Sequence, residues 1–122
     1  MSDVEVHIKA AREKRLAALD EYEKHRYMVV GDLAIKSVEQ AIEALAALED
    51  EHFHEFPRSA HSNRMRWIKK KLPSLSKDID ELRGAYGTLG YEGINGERAK
   101  KAIAAMERVM DEIERETHIR FK

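Results

Sequence analysis

Leu33-Ala34-Ile35-Lys36-Ser37-Val38-Glu39-Gln40-Ala41-Ile42-Glu43-Ala44-Leu45-Ala46-Ala47-Leu48 is the stretch that decides the fold. Leu33, Ile35, Val38, Ala41, Ile42, Leu45 and Leu48 recur at the three- and four-residue intervals that stack side chains on one face of an α-helix. The stretch contains no glycine or proline, and its Ala, Leu, Glu, Gln and Lys are strong helix formers. It reads as a helix with a broad apolar face that ends near Glu49.

Upstream, residues 4–25 carry Ile8, Ala11, Leu16, Leu19 and Tyr22 among many charges, a first helix. The boundary between the two has two readings. Gly31-Asp32 has the form of a helix stop followed by an N-cap. Alternatively Gly31 lies inside the second helix, at a cost of about 1 kcal/mol, and the break falls at Lys24–Tyr27.

Downstream, residues 50–60 read as a loop. Ser59 or Ser62 can cap a third helix carrying Met65, Trp67, Ile68 and Leu72, which Pro73 stops. Ser74 can cap a fourth, with Leu75, Ile79, Leu82 and Tyr86 inward. Glycines at 84, 87, 90, 93 and 96 mark a connection, and Asn95 is placed to cap the last helix. There Ala99, Ile103, Met106, Met110 and Ile113, flanked by Ala102 and Val109, form one stripe against a charged face. The expectation is an all-α, up-and-down bundle of four to five helices, one domain over residues 1–122.

The chain has no cysteine, which excludes disulfides, thiolate metal sites and thiol nucleophiles. Its start is polar and acidic where a secretory signal needs an apolar stretch, and the longest apolar runs are far below the roughly 20 residues of a membrane span. A cytoplasmic protein with no membrane contact is expected. Charged residues make up 37% of the chain yet nearly cancel, to a net −1. Abundant Glu and Lys without cysteine also suit a thermophile.

The charges are sorted along the chain. Residues 37–57 hold six acids (Glu39, Glu43, Glu49, Asp50, Glu51, Glu55) and no Lys or Arg. Residues 58–77 hold seven bases (Arg58, Arg64, Arg66, Lys69, Lys70, Lys71, Lys77) and no acid. Either the second and third helices lie side by side and neutralise each other, or the basic helix binds RNA or another polyanion, with Trp67 stacking on a base. The second reading makes Arg58, His61, Arg64, Arg66, Trp67 and Lys70 the site. The near-zero net charge, and the fit of Trp67 to the apolar stripe with Ile68, favour the first.

Glu51-His52-Phe53-His54-Glu55, with His61 beyond it, offers imidazoles and carboxylates of the kind that ligate zinc, nickel or copper. His52 and His54 are two residues apart, so they share a face only in an extended loop, and no HExxH pattern occurs. His7, His25 and His118 read as exposed and carry no specific signal. Gly87-Thr88-Leu89-Gly90-Tyr91-Glu92-Gly93-Ile94-Asn95-Gly96 opens a helix but has neither the GxGxxG order nor a Walker lysine. It reads as a turn with Tyr91 and Ile94 pinned to the bundle. No serine sits in a nucleophile elbow, no cofactor is implied, and no residue pattern identifies an enzyme.

Tyr27-Met28-Val29-Val30-Gly31-Asp32-Leu33-Ala34-Ile35-Lys36-Ser37-Val38-Glu39-Gln40-Ala41-Ile42-Glu43-Ala44-Leu45 resembles the second helix of HEPN-type bundles, with their Ala-x-Lys-x-x-Glu-x-Ala-x-x-Ala-Leu pattern. The likeness continues through His61, Arg64 and Trp67 to Glu97–Glu114, covering roughly residues 10–115. It implies that Gly31 lies within the second helix and that the break is near His25. It also implies a homodimer, and a nucleotidyltransferase as protein partner. Active HEPN-like proteins are metal-independent ribonucleases that use an Arg followed after four to six residues by a His. Here Arg58 precedes His61 and Arg115 precedes His118 with only two residues between. A base must reach the 2′-hydroxyl while a cation holds the phosphate, so spacing sets the geometry, and this sequence departs from the spacing of the active members. The sequence therefore points to a noncatalytic HEPN-like interaction module acting as a homodimer. RNA binding or ribonuclease activity through the third helix, and metal binding through His52, His54 and His61, are the alternatives.

Overall fold

The computed structural model describes residues 3–53, 56–87 and 96–122, with the side chains of 85–87 left aside. Five α-helices make up these residues, with no strand among them: α1 (Asp3–Glu23), α2 (Tyr27–Leu48), α3 (Ala60–Lys71), α4 (Ser76–Gly87) and α5 (Gly96–Thr117). None is long and apolar enough to cross a membrane.

The break between α1 and α2 falls at residues 24–26, and Gly31 is buried inside α2. His25 sits at φ 60, in the left-handed region usually given to glycine. Around it the Arg26 N–H donates to the Glu21 carbonyl at 2.9 Å and the His25 N–H to the Tyr22 carbonyl at 3.1 Å, a Schellman closure. Asp50, also at φ 60, ends α2 in the same way, its N–H donating to Ala47 and that of Glu51 to Ala46. His118 at φ 63 ends α5, its N–H donating to the Glu114 carbonyl at 2.7 Å. All three stops lack glycine, the residue that most often marks such an end in a sequence.

With only three residues between them, α1 and α2 run antiparallel. The α2 helix touches each of the other four, and twelve of its residues are buried, distributed nearly all the way round its axis. Many are alanines (Ala34, Ala41, Ala44, Ala46), and they meet Ala11 and Ala18 of α1 and Ala99, Ala102 and Ala105 of α5 in the core. Small side chains let helix backbones approach closely. Larger groups (Ile35, Ile42, Ile68, Ile79, Leu82, Met106, Met110, Ile113) fill the remaining space, each essentially inaccessible to solvent. Residues 118–122 fold back over α5 and insert Phe121, 1% exposed. Glu114 accepts the Phe121 N–H at 2.7 Å, and the Arg12 Nε of α1 donates to the Arg120 carbonyl at 2.7 Å. Beside this tail, Arg15 forks onto Glu107 at 2.6 and 2.9 Å.

Several expectations are corrected. Leu16 is 60% exposed, because the stripe that α1 buries is His7, Ala11 and Ala18 and a helix turns about 100° per residue, which puts Leu16 about 140° away from Ala11. Leu48, the last residue of α2, is 53% exposed. His7 is buried, not exposed. Ser59 precedes α3, but its hydroxyl donates to the Phe56 carbonyl at 3.5 Å instead of capping the helix. Ser74 does not start α4: Pro73 begins a 3₁₀ turn, Pro73–Leu75, that carries Leu75 into the core, and α4 follows at Ser76. His54, Glu55, the glycine-rich stretch 88–95 with Tyr91, Ile94 and Asn95, and the Tyr86 side chain lie outside the described residues.

Candidate functional site

Glu39 and Glu43 are one turn apart on α2, so both carboxylates leave the helix on the same side. Two like charges there repel unless a cation joins them. Arg64, on α3, does so with three nitrogens: Nε and Nη2 reach Glu43 Oε1 at 3.0 and 2.9 Å, and Nη1 reaches Glu39 Oε2 at 2.6 Å. The guanidinium's fixed fork suits such bridging, which a single ammonium cannot reproduce. The pair is deeply placed, with the Arg64 side chain 8% and that of Glu43 1% exposed.

Two imidazoles extend the cluster. His61, one turn before Arg64, places Nδ1 2.6 Å from Glu39 Oε1. On the far side, His7 of α1 places Nδ1 2.8 Å from Gln40 Oε1 and Nε2 4.0 Å from Glu43 Oε2. An amide or carboxylate oxygen can only accept here, so the facing ring nitrogens donate at Gln40 and Glu39. The chain of polar groups thus runs from α1 through α2 to α3. Further along the same helix contact, Lys71 Nζ donates to Glu49 Oε1 at 2.7 Å.

The six residues expected to form an anion site therefore separate. Arg64 and His61 face inward onto the acids of α2. Trp67 is half-buried against the core, its ring meeting Phe53 edge-on at 5.8 Å. Arg58, Arg66 and Lys70 are exposed. Of the three histidines expected to bind metal, His52 lies 3.1 Å from Asp50 Oδ1 and 3.3 Å from Asp3 Oδ2, His61 faces Glu39, and His54 lies outside the described residues. No group of three or more His, Asp or Glu side chains among the described residues is arranged to hold a metal ion.

His7 and Gln40 are members of the cluster that sequence reasoning missed. The signal for His7 was present: it lies four and eleven residues before Ala11 and Ala18, on the stripe that proves to be buried. Comparison with family models, curated proteins and solved structures finds no match for this chain.

Proposed function

We propose that this chain is a noncatalytic helical interaction module, HEPN-like in organisation, that works as a homodimer in the cytoplasm. One observation carries the reading: Arg64 and His61, two of the six residues the sequence offers for an anion site, are engaged by Glu39 and Glu43. Among its exposed charges the α1–α2 hairpin also leaves large apolar side chains outside, with Leu16 60%, Met28 56% and Val29 43% exposed. Large exposed apolar groups are the material from which protein interfaces are made.

Light scattering coupled to size-exclusion chromatography tests it, with a dimer expected at micromolar concentration and Met28→Glu or Val29→Glu shifting it toward monomer. A wild-type monomer throughout that range removes the dimer. A second reading, contact of α3 with RNA or another polyanion, is favoured by the exposure of Arg66 and Lys70 on that helix and of Arg58 in the turn before it. It requires affinity that falls steeply with salt, and absence of RNA binding at low salt removes it.

A further inference from the structure

The bases of α3 divide into two sets. Arg64 and Lys71 turn toward α2 and its acids. Ser62, Arg66 and Lys69 follow each other at intervals of four and three residues, so they lie along the opposite, outer side of the helix. There they meet α4. Lys69 Nζ donates to Asp80 Oδ1 at 2.5 Å, and Arg83, one turn on from Asp80, closes a cleft of about 300 Å³ lined by Ser62, Met65, Arg66, Lys69 and Arg83. That volume is at the lower end of the roughly 300–1,000 Å³ typical of small-ligand sites.

The chemistry of this lining is one-sided. Among the described residues three bases and a hydroxyl line it beside Met65, and no acid does. Among the described residues Arg66 hydrogen-bonds only Asn63 Oδ1, at 3.3 Å, and Arg83 has no acid partner. With Asp80 neutralising Lys69, no carboxylate among the described residues pairs with the guanidiniums of Arg66 and Arg83. The larger cleft between α4 and α5 differs: Lys77, Lys101 and Arg108 share it with Asp78 and Glu81, and Arg108 is held by Asp78 at 2.8 Å. A concave surface of one sign concentrates its field and attracts counter-charge. Paired guanidiniums match the geometry of phosphoryl oxygens, each offering two parallel donors.

We propose that the α3–α4 cleft is a phosphate site, in which Arg66, Arg83 and Lys69, with the Ser62 hydroxyl, hold a phosphoryl oxyanion of a polyphosphate chain or of a nucleic-acid backbone. This deepens the polyanion reading of α3 and rests on it, and it is independent of self-association. Arg83 is the distinguishing residue, because it belongs to a different helix and to none of the charge blocks of the sequence.

The test uses the full chain at low salt with two probes: inorganic tripolyphosphate followed by calorimetry, and a fluorescent single-stranded oligouridylate followed by anisotropy. Arg66→Ala and Arg83→Ala each weaken binding about tenfold, as expected for loss of one charge-assisted contact, and Arg83→Lys retains part of the affinity. Lys101→Ala, in the neighbouring cleft, stays within about twofold. Both arginines are exposed, and circular dichroism verifies that the variants fold. Binding of tripolyphosphate alone, with this dependence, identifies a free polyphosphate as the source. Tighter binding of oligouridylate, with the same dependence, identifies a nucleic-acid backbone. Two results overturn the proposal: neither probe binds, which also removes the polyanion reading, or oligouridylate binding falls in Arg58→Ala and Lys70→Ala but not in Arg83→Ala, which removes the cleft and leaves that reading standing.

Discussion

Replacing Arg64 with Met tests whether α3 is held to α2 by the buried ion cluster. The substitution removes a guanidinium whose side chain is 8% exposed and leaves Glu43, 1% exposed, without the cation that three nitrogen–oxygen contacts supply to the two acids. Removing one partner of a buried ion pair costs about 3–5 kcal/mol, because the remaining charge is left desolvated. Two groups soften the loss: His7 Nε2 stands 4.0 Å from Glu43 Oε2, and Glu39 keeps His61 at 2.6 Å. The lower end, about 3 kcal/mol, is therefore expected. An unfolding entropy of roughly 2.1 cal/mol/K per residue gives about 0.26 kcal/mol/K for 122 residues, so the melting midpoint falls by about 12 °C. Urea and thermal denaturation followed by circular dichroism measure it, alongside the pair Glu43→Leu/Arg64→Met. Removing both charges returns most of the lost stability, since a hydrophobic replacement of both partners often equals a buried pair. A single-variant midpoint within about 3 °C of wild type, or a double variant no better than the single, refutes a dehydrated pair at this helix contact.

Phe121→Ala empties the site filled by a ring that is 1% exposed, so it destabilises by about 3–5 kcal/mol; chemical denaturation showing less than about 1 kcal/mol means the tail does not pack as described. Burial by itself raises the Glu107 carboxyl, but the hydrogen bonds and charges of Arg15 and Lys122 outweigh it and hold the group below its ordinary value of 4.5. A depressed folded-state value gives stability that is present above about pH 4.5 and lost as pH falls below it. Wild type therefore loses more stability on acidification than Glu107→Gln, and identical urea midpoints across that range dispose of the linkage. Gly84→Ala, at an exposed position inside α4, gains about 0.5–1 kcal/mol of helix propensity. The new methyl would sit 3.2 Å from Arg98 Nη2, the end of a flexible side chain that can shift. An unchanged or lower melting midpoint counts against that account.

The candidate cluster was half legible in the sequence. The sorting of acids into residues 37–57 and bases into 58–77 foretold that α2 and α3 would meet through charge, and Arg64 with Glu39, Glu43 and His61 does so. The contribution of α1 was hidden, since His7 looks like one more polar residue in a helix whose buried stripe is made of alanines and has little contrast with its flanks. The outer cleft was hidden for a different reason. Arg83 sits in the mixed-charge run Asp78-Ile79-Asp80-Glu81-Leu82-Arg83, where no local pattern ties it to Arg66 seventeen positions earlier.

The sequence by itself determined that this chain is helical and that residues 33–48 lie in a helix with a broad apolar face ending near Glu49. Those properties follow from propensity and from a repeat of about 3.6 residues, both of which act over a single helix. Only the tertiary structure decided which of two neighbouring bases turns inward: Arg64 joins the acids of α2 and Arg66 faces outward toward α4. It also left Leu16 and Leu48 outside while burying His7 and Phe121. Such choices depend on which helices come to lie side by side, and the free energy that settles them comes from non-local burial and pairing, which no short window of residues contains.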